Sequence, residues 1–251
     1  MIQKKYDNLI VVPVGVPIDT FCKDEKLKTH WRRTENERNY QILAVQYGDF
    51  VPEEGTYDDL IVMKGFKWPI AKQLNEMFDF TEWDYVGFYD DDVVIEYQSI
   101  NTSFDMARQN NFQVFQISLS EGSESNWKST QNIKNAEFAY TNFIEIMCPV
   151  FSRTTLPKIM ELINSYDIFC GWGLDYVLAE YLSVDPVVIH KVSMYHPPRP
   201  NTGSTYNKQK AFQEMNDFLN NTYPQVMMKQ GRNSLTNYGM FKDNVKLIIN
   251  E

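Results

Sequence analysis

The sequence predicts a layered α/β fold with a mixed, mostly parallel sheet flanked by helices, and three observations carry the prediction. Runs of strand length, rich in Val, Ile, Tyr and Phe, recur up to Met194. Segments of helical periodicity lie between them. No internal repeat and no Gly/Ser linker divides the 251 residues, a length suited to one large domain or two small ones. In sheets built from alternating strands and helices, the ligand site is expected at the carboxyl ends of the strands.

Each element has its own signal. Asn8–Val14 reads as the first strand. It faintly imitates a secretory leader, but LIVVPVGVP holds two prolines, lacks a small-x-small cleavage site and runs straight into fold-like sequence. Further strands are predicted at Tyr40–Tyr47, Asp59–Met63, Tyr85–Tyr89, Phe112–Ile117, Phe143–Val150 and Val187–Met194. Trp68–Phe78 puts Ile70, Leu74, Met77 and Phe78 on one helical face. Leu156–Ile163 does so with Leu156, Ile159, Met160 and Ile163, and Leu174–Leu182 with Leu174, Val177, Leu178, Tyr181 and Leu182. After Met194 the texture changes to a Pro/Gly-rich loop, Tyr195–Thr205, and a single amphipathic helix around Gln209–Leu219. Residues 1–196 are expected to form the catalytic body, and 197–251 a loop and helical appendage packed on it.

Composition narrows the class. Hydrophobic residues are 43% and charged residues 23%, which excludes wholesale disorder, collagen and a coiled coil. The net charge of −9 argues against a nucleic-acid partner, which normally meets a basic face. That charge is uneven: residues 191–251 carry +4 and the first 190 carry −13. Cys22, Cys148 and Cys170 make an odd count without CxxC spacing, so neither a disulfide framework nor a cysteine zinc site is indicated, and Cys148 and Cys170 read as small core residues. No apolar run reaches the roughly 18 residues of a membrane span, so the expected location is cytoplasmic, with peripheral membrane contact left open. The N-x-S/T triplets at Asn101 and Asn220 are then accidental.

The most informative stretch is WDYVGFYDDDVVI, where an apolar strand ends in Asp90, Asp91 and Asp92. In an extended segment residues i and i+2 share a face, so Asp90 and Asp92 are expected to converge while Asp91 points elsewhere. Two such carboxylates call for a hard divalent ion, Mn²⁺ or Mg²⁺, that completes its shell with phosphate and water. The triplet alone fits a nucleotide-sugar transferase or a haloacid-dehalogenase-type phosphatase using Asp90 and Asp92.

Three further patches bear on that choice. KGFKWPIAK clusters Lys64, Lys67 and Lys72 near a helix N-terminus, suited to an anionic ligand. FCGWGLDYVLAEYL sets Trp172 between Gly171 and Gly173, where the ring is expected to be exposed for sugar stacking, and leaves Asp175 beside the apolar stripe. His190 lies inside an apolar strand and reads as a core residue; His196 ends that strand, where an imidazole can reach a metal. A phosphatase of that kind would want a lysine and a further acidic pair downstream, and no such pair appears.

In this order, LIVVPVG, KGFKWPIAK, DYVGFYDDDVV, QISLSEGS, FIEIMCPVFSR, GWGLD and His196 resemble a GT-A-type glycosyltransferase over roughly residues 8–202. They are most similar to a little-characterised family of plant and bacterial proteins assigned to that Rossmann-like fold. The resemblance implies a metal-dependent hexosyltransferase using a nucleotide-sugar donor and a glycan or lipid-linked acceptor, with no nucleic acid involved. It implies Asp90, Asp92 and His196 as metal ligands. Pro13, Val14, Gly15, Asp90 and Asp91 fall to the donor, with Lys67 and Lys72 as helpers, and Trp172 and Gly173 to the acceptor. GWGLD is also similar to the Gly-Trp-Gly-x-acid segment of inverting galactosyltransferases, which slightly favours inversion. There the base lies one position further along, which here is Tyr176. Asp175 is the expected base, Glu145 and Glu180 are lesser candidates, and Arg199 with nearby lysines is expected to form a basic flap over the donor phosphates or to face an anionic acceptor. A non-catalytic carbohydrate-binding protein is the remaining alternative.

Overall fold

A computed structural model of the chain describes residues 2–23, 25–125, 127–198 and 207–231, and the backbone of 246–249. Among the described residues nine strands form one sheet: β1 (Asn8–Val14), β2 (Tyr40–Gln46), β3 (Asp59–Val62), β4 (Tyr85–Phe88), β5 (Val114–Leu119), β6 (Ala136–Tyr140), β7 (Val150–Ser152), β8 (Val187–Met194) and β9 (Lys246–Ile249). Among them lie the helices α1 (Glu25–Lys28), α2 (Lys67–Met77), α3 (Tyr97–Asn110), α4 (Leu156–Asn164), α5 (Leu174–Leu182), α6 (Lys208–Asp217) and α7 (Tyr223–Lys229).

The strand order is β3-β2-β1-β4-β7-β5-β8-β6-β9. β1 pairs in parallel with β2 and β4, β2 with β3, and β5 with β8; β7 and β6 run against their neighbours, so seven of nine strands share a direction. This is the expected mixed, mostly parallel sheet. Alternation along β1 builds a core on each side: Leu9 and Val11 join one cluster with Trp68, Leu74, Ile159 and Leu178, while Ile10, Val12 and Val14 join another with Trp31, Ile100 and Phe104. Helices therefore cover both faces, which leaves the carboxyl edge of the parallel strands to the loops.

Several elements differ from expectation: α1, α3, β6 and β9 carry no predicted signal, and the single helix expected after Met194 is followed by a second, α7. The apolar run Phe143–Val150 is largely irregular and only Val150–Ser152 pairs as a strand. Its backbone still follows the end of β4, with Phe88 donating to the Pro149 carbonyl and Asp90 to that of Met147, so burial rather than strand geometry explains its hydrophobicity. α3 reads as polar in sequence because only Ile100, Ser103, Phe104, Met106 and Ala107 face inward.

β8 carries an irregularity that matters for the site. Ile189 pairs with Ile117, but Ser193 pairs with the very next residue, Ser118, so His190–Val192 bulge out. His190 is buried there, its Nδ1 accepting from the Ile133 amide at 3.2 Å, and burial lowers its pKa to about 4. It is the core histidine the sequence suggested.

Candidate active site

The acidic triplet sits beyond the end of β4, on the carboxyl edge of the sheet. It is not extended. The strand stops at Phe88 and the chain turns at Asp91–Asp92, so simple alternation no longer fixes where the three carboxylates point. Each takes a different partner.

Asp90 faces α2. Its Oδ1 receives Lys67 Nζ at 2.7 Å, and the same ammonium donates to the carbonyls of Ile146 and Met147 at 2.5 and 2.9 Å. Burial raises the Asp90 pKa, Lys67 opposes the rise and Asp92 adds to it. Asp91 turns back to β1, its Oδ2 accepting from the amides of Gly15 at 2.7 Å and Val16 at 3.2 Å. Burial pushes it up to about 6, against the pull of the Gly15 amide. Gly15 lies close to Tyr47: a Cβ there would lie 2.0 Å from the hydroxyl oxygen, so the tyrosine would have to shift. Asp91 thus ties the β1 loop, with Pro13 and Val14 buried behind it, to the triplet.

Asp92 is 2% exposed and meets His196, with Nε2 at 3.3 Å from Oδ2. The backbone brings them together through a two-way bridge, Val94 N to Tyr195 O at 2.8 Å and Tyr195 N to Val94 O at 2.9 Å. The loop after β5 fixes the imidazole, whose Nδ1 lies 2.9 Å from the Glu124 carbonyl. Burial opposes a charge on His196, but the hydrogen bond and charge of Asp92 outweigh it and raise its pKa to about 9.

The donor chemistry of this pair, one carboxylate and one imidazole, fits a borderline ion such as Mn²⁺ that keeps positions for phosphate and water. Lys67 occupies Oδ1 of Asp90, whose charge also acts on Asp92 and His196, and among the described residues no three His, Cys, Asp or Glu side chains cluster tightly enough to hold an ion.

The second half of the site starts at GWGLD. Gly171 and Gly173 both take positive φ, 85° and 102°, the left-handed region that suits glycine. Gly173 precedes α5, so Asp175 falls in its first turn. One oxygen of Asp175 is buried without a hydrogen-bond partner among the described residues. Burial, reinforced by the charge of Glu145, raises its pKa to about 7 against backbone hydrogen bonds that lower it. Glu145 is itself buried and accepts from Thr130 Oγ1 and, at 3.2 Å, from Ser125 Oγ. Its charge acts on His196 as well as Asp175, so it links the two halves.

Other expected residues are placed less centrally. Trp172 is half-buried with its ring edge-on to Phe212 of α6 at 4.9 Å, not freely exposed. Tyr176 packs edge-on to Trp127 and Phe143 at 5.6 and 5.9 Å, so it is engaged in an aromatic cluster. Lys72, five residues and about 140° around α2 from Lys67, reaches the Tyr166 carbonyl at 3.4 Å and not the triplet. Glu180 is similarly displaced around α5 from Asp175. Lys64 is exposed. Arg199 lies outside the described residues. Cys170 is half-buried in the loop before GWG and is not a core residue.

Sequence reasoning missed Glu214 of α6. Its carboxylate accepts three successive amides, Phe169 at 3.0 Å, Cys170 at 2.8 Å and Gly171 at 3.1 Å, together with Cys170 Sγ at 3.2 Å. Successive amides form an anion-binding nest, here filled from within. Lys210 of the same helix sits over the Phe169 ring at 4.0 Å.

This sheet, with its acidic turn and its late histidine on one edge, is a GT-A-like α/β fold. No family model and no curated protein matches the sequence. Solved structures do match it. S. aureus TarS 1–349 is 10% identical, over 88% of this chain and 73% of that one, with a TM-score of 0.51. TarS 1–349 in complex with UDP-GlcNAc is 11% identical over 86% and 67%, with a TM-score of 0.53. Against a longer TarS chain the identity is 9% and the TM-score 0.50, and this chain spans 40% of its length. The likeness is one of fold. Among the described residues no helix is long and apolar enough to cross a membrane.

Proposed function

We propose that the chain is a metal-dependent glycosyltransferase, of hexosyl type and inverting course, moving a sugar from a nucleotide-sugar donor to a hydroxyl of a glycan or lipid-linked acceptor. The observation that carries the reading is a recessed carboxyl, Asp175, with one buried oxygen unpartnered, its pKa raised to about 7, and its charge coupled through that of Glu145 to His196 of the Asp92–His196 pair. A general base is most effective when its pKa lies near the working pH. In this reading Asp175 accepts the proton of the acceptor hydroxyl as the new C–O bond forms and the bond to the diphosphate breaks. Asp92 and His196 would hold a divalent ion, Mn²⁺ or Mg²⁺, which supplies charge neutralisation for the departing diphosphate. Lys67 fixes Asp90 and, with Ile146 and Met147, the wall beside it. Asp91 holds the β1 loop where a nucleoside is expected.

The motif order supports kinship with the plant and bacterial GT-A family. The complex of TarS with UDP-GlcNAc makes that nucleotide sugar the first probe to try. The phosphatase alternative loses ground because the further acidic pair it requires downstream does not appear in the sequence. A thermal-shift screen of UDP-GlcNAc and other nucleotide sugars, with and without Mn²⁺, tests the proposal, since a ligand that binds only the folded state raises apparent stability. Metal-dependent stabilisation is expected. Hydrolysis of a generic phosphomonoester with no response to any nucleotide sugar would replace this reading with the phosphatase, and metal-independent glycan binding with a carbohydrate-binding protein.

A further inference from the structure

Arg32 is a buried cation to which the proposed mechanism gives no task. It is 1% exposed, and its Nε and Nη1 find no hydrogen-bond partner among the described residues. Its position is well defined by its neighbours. Trp31 donates its amide to the Ile95 carbonyl at 3.1 Å and its indole Nε1 to the Val93 carbonyl at 3.2 Å. The Trp31 ring lies 5.4 Å from that of Tyr89, and His30 bridges to Glu96. The segment His30–Arg32 therefore runs along Tyr89–Glu96, the stretch that carries the acidic triplet.

The acids whose charge reaches the guanidinium are Asp91 and Glu53. Asp91 has its Oδ2 committed to the amides of Gly15 and Val16, and Glu53 is exposed. A buried guanidinium with two of its three nitrogens unpartnered is strongly unfavourable, because the water they lose is not replaced. Its planar fork of donors matches a phosphate group in two-point contact.

We propose that Arg32 receives a phosphate group at the β1 side of the acidic turn, and that the group belongs to the nucleoside diphosphate of the donor. The identity of the anion rests on the nucleotide-sugar reading above; the existence of the anion site does not. Arg32 then discriminates a diphosphate from an uncharged nucleoside.

Titration calorimetry of the full chain with UDP, uridine and inorganic pyrophosphate, each with and without Mg²⁺, tests this. The wild type is expected to bind UDP more tightly than uridine. Arg32→Gln should weaken UDP by about tenfold or more while leaving uridine unchanged, the effect of removing charge-assisted hydrogen bonds. Arg32→Met keeps the apolar stem without the charge and gives the same readout should the glutamine variant fail to fold. Unchanged UDP affinity in a folded variant would overturn the proposal and leave Arg32 as a counter-ion to Asp91. Wild-type binding of pyrophosphate but of no nucleotide, lost in Arg32→Gln, would keep the anion site and discard the nucleotide-sugar donor. Binding of neither UDP nor pyrophosphate by the wild type would overturn both.

Discussion

The two halves of the site are built in different ways. The donor half is made by the sheet: β1, β4 and the end of β8 converge, and backbone groups fix nearly every side chain, from the Gly15 and Val16 amides on Asp91 to the Glu124 carbonyl on His196. The base half rests on a loop with two left-handed glycines, and that loop is held by one side chain from a helix more than forty residues later in the chain, Glu214. Hydrogen bonds come from the ladder in one half and, in the other, from one carboxylate aided by ring contacts at Phe169 and Trp172. The difference teaches that the donor half should tolerate changes outside its own residues, whereas the base half should be sensitive at a distance.

Substitutions can break this contrast, and the largest effect is expected at Asp175. Asp175→Asn should lower kcat by about 10²–10⁴-fold with donor affinity intact. Steady-state kinetics alongside direct donor binding provides the check. In the wild type, kcat/KM should fall as pH drops below about 7, where Asp175 takes up its proton. The same carboxyl should shape stability. Its folded pKa is raised, so the folded state gains from protonation at low pH. That advantage disappears as pH rises from its ordinary 3.8 to about 7. Asp175→Asn should abolish this dependence and stabilise the chain at neutral pH, as read by denaturant unfolding across pH.

Next in size is Asp92→Asn, for which we expect a loss on the order of 10²–10³-fold in kcat together with the response to added Mn²⁺. Retained metal-stimulated turnover would remove the donor half from the proposal. Glu214→Ala should cost on the order of 10–100-fold in transfer through misplacement of Asp175. Glu214→Gln, which keeps an acceptor oxygen for the nest, should recover part of it. Equal losses in donor affinity for the alanine variant would show that the two halves are not independent.

Gly171→Ala should destabilise the fold by about 1–3 kcal/mol, since the new Cβ would lie 2.2 Å from the Trp68 ring. Chemical denaturation measures it. The smallest effect is expected for Glu145→Gln. Removing the like charge should lower the Asp175 pKa and move the acid limb of the pH profile to lower pH, with little change at the plateau.

How much of this was legible in the sequence follows from the range of the interactions. Asn8–Val14, Leu174–Leu182 and Val187–Met194 match the observed elements end for end, because local apolar periodicity specifies them. Asp91, Asp92, His196 and Asp175 were visible as residue types at the ends of apolar segments, where chemistry is usually placed. The turn at Asp91–Asp92 was not visible, as nothing in three identical residues marks where a strand stops. Glu214 and Arg32 were out of reach for another reason. Their meaning depends on backbone amides or on missing partners that only the folded chain brings to light.

The bulge in β8 has a consequence of its own. Before it, Ile189 belongs to one core; after it, Met194 joins that same core although the two positions differ by an odd number. Three extra residues let Ser193 and Met194 resume pairing with Ser118 and Leu119, and the strand delivers Tyr195 to its bridge with Val94, next to His196. The location of the proposed ligand is thus encoded by a count of residues as much as by their identity. Losing one residue from His190–Val192 would force the bulge to tighten or the register to slip and so shift the histidine, perturbing the site by length alone while the sequence motifs around it stay intact.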